Sequence, residues 1–195
     1  NEAVSVELDE NTRFRVRLVD CVGYLIDGAI GHMEDDTPRM VRTPWSEQEI
    51  PFEQAAEIGT QKVINEHATI GMVVTTDGSI SSMPRADYVE AEQRVVSELQ
   101  QLGKPFIVVL NTSDIYSIET QKLQLALEEK YDVPVIPVDV LNMSMEDLRG
   151  ILERVLFEFP LRRMNICMPK WMQALPSDHE LIAELLERVK ASATT

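Results

Sequence analysis

Residues 13–23 read RFRVRLVDCVG, and the fold turns on how they are taken. Phe14, Val16 and Leu18 alternate with Arg13, Arg15 and Arg17, which gives a strand one apolar face and one arginine face. Val19 breaks the alternation, Asp20 ends the strand, and Gly23 follows three residues later. A carboxylate at the carboxyl end of a buried strand, followed by that glycine, suits Mg-dependent nucleotide hydrolysis. The aspartate holds the metal through water, and the glycine offers its N–H to the terminal phosphate with no side chain in the way. Asp20 also fits a plain strand-end cap. A second D-x-x-G, Asp147 to Gly150, lies within a helical pattern, so only the strand context sets the first one apart.

Upstream, residues 3–8 alternate apolar and polar and read as a half-exposed strand. The turn Asp9-Glu10-Asn11 would join it to residues 13–19 in a hairpin. Downstream, residues 24–50 form a long connection that contains Trp45 and the acidic trio Glu34, Asp35 and Asp36. Connections of this length are commonly functional, and the trio reads as a solvated loop. Trp45 is either a partner contact or packs back on the domain. Pro51 opens a helix to about His67, with Gly59 inside it where a close approach to a strand is expected. Residues 70–75 read as a fully buried strand ending in Thr75-Thr76-Asp77-Gly78, a polar cluster that is either a ligand edge or a turn. A helix over 86–102, a strand over 106–110 and a helix over 118–131 follow. A short strand over 133–138 carries Pro134 and Pro137, which confine it to an edge. Ser144, with Asp147 three residues on, caps a helix whose inward side is Leu148, Ile151, Leu152, Val155 and Phe159. After Pro160 the character changes, and Ser177 with Glu180 predicts a capping box for a last helix. The expected division is a truncated nucleotide-binding domain over 1–163, then a linker and the start of a following domain over 164–195.

The net charge of −15 opposes a general footprint on nucleic acid or anionic lipid. No apolar run approaches membrane-spanning length, so direct insertion is not expected. Cys21 and Cys167 stand far apart, and His32, His67 and His179 are scattered. That usage predicts a reducing, cytoplasmic setting and no zinc site. The chain starts at Asn1, directly in strand-like sequence, as a fragment or processed chain would.

Alternating strands and helices predict an α/β fold with a mostly parallel sheet, helices on both faces and one antiparallel hairpin at its edge. The order matches the GTPase-related P-loop plan from its second strand onward. In that plan a base-reading N/T-K-x-D follows the fifth strand; here Asn111-Thr112-Ser113-Asp114 stands there, with threonine for lysine. The glycine-rich loop G-x-x-x-x-G-K-[ST] is missing, together with the strand before it. That strand belongs between the Asp20 strand and the 70–75 strand, so this chain alone is expected to bind nucleotide weakly or not at all.

Nine stretches carry a more specific likeness: RLVDCVGY (17–24), GAIG (28–31), PRM (38–40), TPW (43–45), IPFEQAAEIGT (50–60), ATIG (68–71), TTDG (75–78), ADYVEAEQRV (86–95) and GKPFIVVLN (103–111). In these the sequence resembles the stage IV sporulation protein A family, the ATPases that build the base of the spore coat. The resemblance implies ATP hydrolysis with Mg, driving self-assembly on the outer forespore surface in the mother-cell cytoplasm. It implies as partners the polymer itself, a small amphipathic membrane-anchoring peptide and other coat proteins, contacted through parts outside this chain. Asp20 carries over as the metal residue and Gly23 as its glycine, while Asn111 and Asp114 occupy the base-reading position. Thr112 fits a family that uses ATP on a GTPase-like plan.

Three other readings stand beside it. A regulatory GTPase would bind GTP selectively. A flavodoxin or receiver-type module would explain Lys104-Pro105, but Lys104 precedes its strand instead of ending it. A scaffold without chemistry of its own would need none of the site residues. No residue stands out as the base for an attacking water.

Overall fold

The structure, a computed structural model, describes residues 2–7, 13–26, 28–34, 37–159, 167–176 and 179–193. The chain forms two compact units, Asn1–Glu158 and Phe159–Thr195. The expected boundary at 163, the 9–11 turn and the Ser177 cap lie outside the described residues.

In the first unit, β1 (Val4–Glu7) and β2 (Arg13–Val16) pair antiparallel, with Val6 opposite Phe14. The long connection contains two small antiparallel ladders, β3 (Met33–Glu34) with β4 (Thr37–Pro38) and β5 (Met40–Val41) with β6 (Ile50–Pro51). Helix α1 (Phe52–Lys62) runs into a single π-helical turn, Val63–His67, closed by the Ala68 N–H on the Val63 carbonyl at 2.8 Å. Lys104 explains how that helix ends. Its ammonium donates to the carbonyls of Ile64, Asn65 (3.0 Å) and Ala68 (2.8 Å), a cation on the negative end of a helix.

A parallel sheet follows in the order β7 (Gly71–Thr76), β8 (Phe106–Asn111), β9 (Val135–Val138). Helices α2 (Arg85–Gln101), α3 (Ile118–Tyr131) and α4 (Met145–Phe157) connect or follow these strands. Alternation sorts the sheet's side chains onto two faces. Val73, Phe106, Val108, Leu110 and Val135 pack with Val96 and Leu99 of α2 and Leu127 and Tyr131 of α3. Ile107, Val109 and Val138 pack with Ile151 and Val155 of α4. Ser144 and Asp147 form the predicted capping box at the start of α4, with Oγ accepting from the Asp147 N–H at 3.1 Å and Oδ2 from the Ser144 N–H at 2.8 Å.

Four expectations need correction. The hairpin does not join the sheet: β1–β2 and β7–β8–β9 are separate ladders. The second strand stops at Val16, and Leu18 and Val19 are exposed, because no described strand flanks residues 17–20. On β7 only Val73, Thr75 and Thr76 are buried; Met72 and Val74 face outward on the side where α4 reaches only β8 and β9. Phe159 lies past the end of α4 and is 39% exposed. In the second unit, α5 (Lys170–Gln173) and α6 (Glu180–Ala193) are helical.

Candidate functional site

Asp20 sits on an extended segment beyond β2, and its side chain is open to solvent. Gly23 adopts φ +82°, a left-handed conformation that glycine enters without strain, and nothing stands within 4 Å of where a Cβ would be. Its N–H is not free. It donates to Thr60 Oγ1 of α1 at 3.1 Å, and Thr60 is 2% exposed. The next residue, Tyr24, is buried against α2. Its hydroxyl donates to Glu98 Oε2 at 2.5 Å, and the Arg94 guanidinium covers its ring at 4.0 Å. Arg94 also pairs with Glu57 of α1 and lies 3.7 Å from Glu98 Oε1. Burial first, and then the Glu98 carboxylate, push the Tyr24 phenol well above the ordinary tyrosine range. The turn after Asp20 is therefore pinned between α1 and α2.

A second cluster closes the carboxyl ends of β7 and β8. Asn111 Oδ1 accepts from the Val140 N–H at 3.2 Å, which ties the loop after β8 to the loop after β9. Thr112 turns inward and is 1% exposed; its hydroxyl donates to Asp77 Oδ2 at 2.6 Å. Asp77 Oδ1 accepts from the Ser79 N–H at 2.9 Å and Oγ at 2.6 Å, and Ser79 Oγ in turn accepts from the Ser113 N–H at 2.9 Å. Burial raises the Asp77 pKa, but the hydrogen bonds from Ser79 and Thr112 outweigh it and hold the carboxyl below its usual value. Asp114 Oδ1 accepts from the Tyr116 N–H at 3.0 Å, an Asx turn that leads into α3. Gly78 is required here: its φ is +89°, and a Cβ would stand 2.8 Å from the Arg85 N atom. So Thr75-Thr76-Asp77-Gly78 is both a turn and the bolt that locks the 111–114 loop to β7.

Behind this cluster Arg85 Nη1 donates to Thr75 Oγ1 at 3.0 Å. Its Nη2 stands 2.6 Å from Glu92 Oε2, within ion-pair reach but not angled as a hydrogen bond, and Tyr131 donates to Glu92 Oε1 at 2.7 Å. Glu92 is thus a buried carboxylate with its charge partnered.

The four predicted residues fall into two groups. Asn111 ends β8, and Asp114 lies in the loop that follows it. Asp20 and Gly23 share the turn held by α1 and α2. No hydrogen bond or ion pair among the described residues joins one group to the other. No three His, Cys, Asp or Glu residues converge on a metal site among the described residues. A groove of about 930 Å³ flanks β9, with Asp114, Tyr116, Asp139, Asp147 and Arg154 in its lining, and neither Asp20 nor Gly23 reaches it. Trp45 packs back on the domain: its indole lies 3.7 Å from where a Cβ on Gly59 would be, so an aromatic ring, and not a strand, approaches that glycine. Sequence reading missed Thr60, Glu92 and Arg94. Thr60 had a signal, since it continues the inward row Phe52, Ala56 at four-residue spacing with a polar side chain.

Residues 1–160 match the family model described as Stage IV sporulation protein A, ATPase domain. The chain belongs to the stage IV sporulation protein A family. It is 49% identical over 190 residues to Stage IV sporulation protein A of Bacillus anthracis, which covers 97% of this chain and 39% of that protein. It is 47% identical to the proteins of the same name from Clostridioides difficile (strain 630) and Bacillus subtilis (strain 168), covering 98% and 97% of this chain and 39% of each relative. The chain thus spans about two-fifths of these relatives, and the whole of its first unit lies within the match to the family's ATPase domain. No solved structure matches it. Among the described residues no helix is long and apolar enough to cross a membrane.

Proposed function

We propose that this chain is the D-x-x-G half of a P-loop ATPase domain, and that ATP hydrolysis by the intact protein drives its self-assembly into the base of the spore coat. The observation that carries this is the gap in the sheet. The hairpin that leads to Asp20 and the ladder β7–β8–β9 are two separate pieces, and among the described residues no strand pairs with the outer edge of β7. The plan puts the strand of the phosphate loop in that gap. Asp20 and Gly23 lie after the hairpin, and open space fronts Gly23.

Mg takes one or two carboxylates and fills its remaining positions with phosphate and water. A lone, exposed Asp20 suits that donor set and not an all-protein cage. When bound, Mg with ATP would supply charge neutralisation at the phosphates. Asp20 would hold the metal through water, Gly23 would present its N–H to the terminal phosphate, and Asn111 and Asp114 would border the base. Thr112, turned into the protein, has no long side chain to lay over a purine, so the lysine contact of the GTPase motif is absent here. The polymer itself, a small amphipathic membrane-anchoring peptide and other coat proteins are the proposed partners at the forespore surface. The peptide and the coat proteins would be met through parts beyond this chain.

The test is nucleotide turnover by the full-length protein with ATP and GTP in parallel. ATP turnover, abolished by Asp20→Ala, is expected. A GTP preference would favour the regulatory GTPase. Turnover that survives Asp20→Ala would remove Asp20 from the site.

A further inference from the structure

The N–H that a terminal phosphate would need is already engaged. Gly23 donates it to Thr60 Oγ1 at 3.1 Å, and that hydroxyl is buried in α1. Gly23 itself is half-buried and left-handed, and open space lies where a Cβ would stand, so no side chain of its own hinders a rotation that would take its N–H off Thr60. The turn cannot drift freely. Tyr24, one residue on, is fixed to α2 by Glu98 and by the Arg94 guanidinium over its ring, and Arg94 reaches back to Glu57 on α1. The backbone is therefore anchored at 24 and can swing at 23. Trp45 of the long connection rests on Gly59, next to Thr60, so α1 links the turn to that connection.

We propose that Thr60 is a positioning residue and a built-in rival for the terminal phosphate: its hydroxyl holds the Gly23 N–H when no phosphate is there and must release it when a triphosphate binds. This rests on the assignment of Gly23 to phosphate made above. One hydrogen bond is exchanged for another, so the rivalry acts on ATP and leaves ADP, which has no terminal phosphate, unaffected. Arrival of the phosphate would free Thr60, and its loss would return the turn to α1.

The experiment uses the full-length protein, with Thr60→Val, which keeps the shape and removes the acceptor, and Thr60→Ser, which keeps the acceptor. ATP and ADP affinities are measured for each, and amide exchange at Gly23 is followed without nucleotide. Thr60→Val is expected to tighten ATP relative to ADP by about fivefold, the worth of one net hydrogen bond. It is also expected to speed Gly23 exchange, while Thr60→Ser keeps both near wild type. A merely structural role would move ATP and ADP together, and an unchanged ratio or a parallel shift overturns the proposal. Unchanged Gly23 exchange in Thr60→Val overturns it whatever the nucleotides do. If the wild-type protein binds neither nucleotide, the functional reading fails and takes the phosphate side of the rivalry with it. The exchange result then still decides the Gly23–Thr60 contact on its own.

Discussion

The two edges of the parallel sheet are treated in opposite ways. On β9 the outer edge is finished. The Val135 N–H donates to Glu128 Oε1 at 3.2 Å, the Val135 carbonyl accepts from Gln124 Nε2 at 3.0 Å, and Pro137 has no N–H to offer. Side chains of α3 thus occupy the places a further strand would take. On β7 the register with β8 turns Gly71, Val73 and Thr75 toward the neighbour and leaves the backbone groups of Met72, Val74 and Thr76 pointing outward. Val74 is 63% exposed. Among the described residues, then, one edge is closed by dedicated side chains, while the other has no strand beside it, which is where the proposed phosphate-loop strand would pair.

The largest effect expected separates the sheet's centre from this edge. Ile107 on β8 is fully buried, and Ile107→Ala should cost about 2–5 kcal/mol by urea unfolding, in this chain and in the full-length protein alike. Val74→Ala should cost less than about 0.5 kcal/mol in this chain. In the full-length protein the same change should cost about 1.5–3 kcal/mol, the worth of a buried valine, because a strand and its helix would cover it. A large cost in the 195-residue chain itself would mean that the edge is already covered, and the contrast would be gone.

Next comes the finished edge. Removing both caps, Gln124→Ala with Glu128→Ala, strips the Val135 backbone of its partners. The expected loss is about 1–2 kcal/mol, and sedimentation should show more self-association than in wild type, since a second edge has been opened. Val74→Lys, a charge on the open edge, should act the other way and reduce association with little change in stability. Equal association in all three proteins would show that the edges do not govern it.

Much of this contrast was legible in the sequence. Pro134 and Pro137 announced an edge strand, and β9 is one. Periodicity also placed α2, α3 and α4, and the Ser144–Asp147 box was read directly. What failed did so for one reason: burial was inferred from apolar runs. Leu18, Val19, Met72 and Val74 are apolar yet exposed, because among the described residues no element packs over them. The site was less legible. D-x-x-G and N-x-x-D mark positions, but hydrogen bonds such as Gly23 to Thr60 or Thr112 to Asp77 join residues 37 and 35 positions apart, and no local pattern carries those.

The smallest effect concerns the loops that follow the two edge strands, each of which holds an aspartate below its usual pKa for a different reason. Asp77, after β7, is half-buried; burial opposes the shift, and the Ser79 and Thr112 hydrogen bonds overcome it. Asp139, after β9, is also half-buried, and its shift comes first from the Asn142 amide at 2.7 Å, with the Leu141 and Asn142 N–H groups adding to it. A carboxyl whose pKa is lower folded than unfolded adds stability that is complete above the unfolded value. That stability is lost as pH falls through the folded one, here from about pH 4 downward. The Asp139 partners are Leu141 and Asn142 of its own turn, so it fastens no distant segment and has little to contribute. Asp77→Asn should therefore destabilise the protein at neutral pH, and the difference from wild type should shrink as the pH drops below about 4. Asp139→Asn should track wild type throughout. The measurement is chemical unfolding of each protein from pH 7 to pH 3. If Asp139→Asn bent the acid limb as much as Asp77→Asn, the bolt between β7 and the 111–114 loop would be no stronger than a turn within a single loop, and Thr112 would lose its role in locking the site.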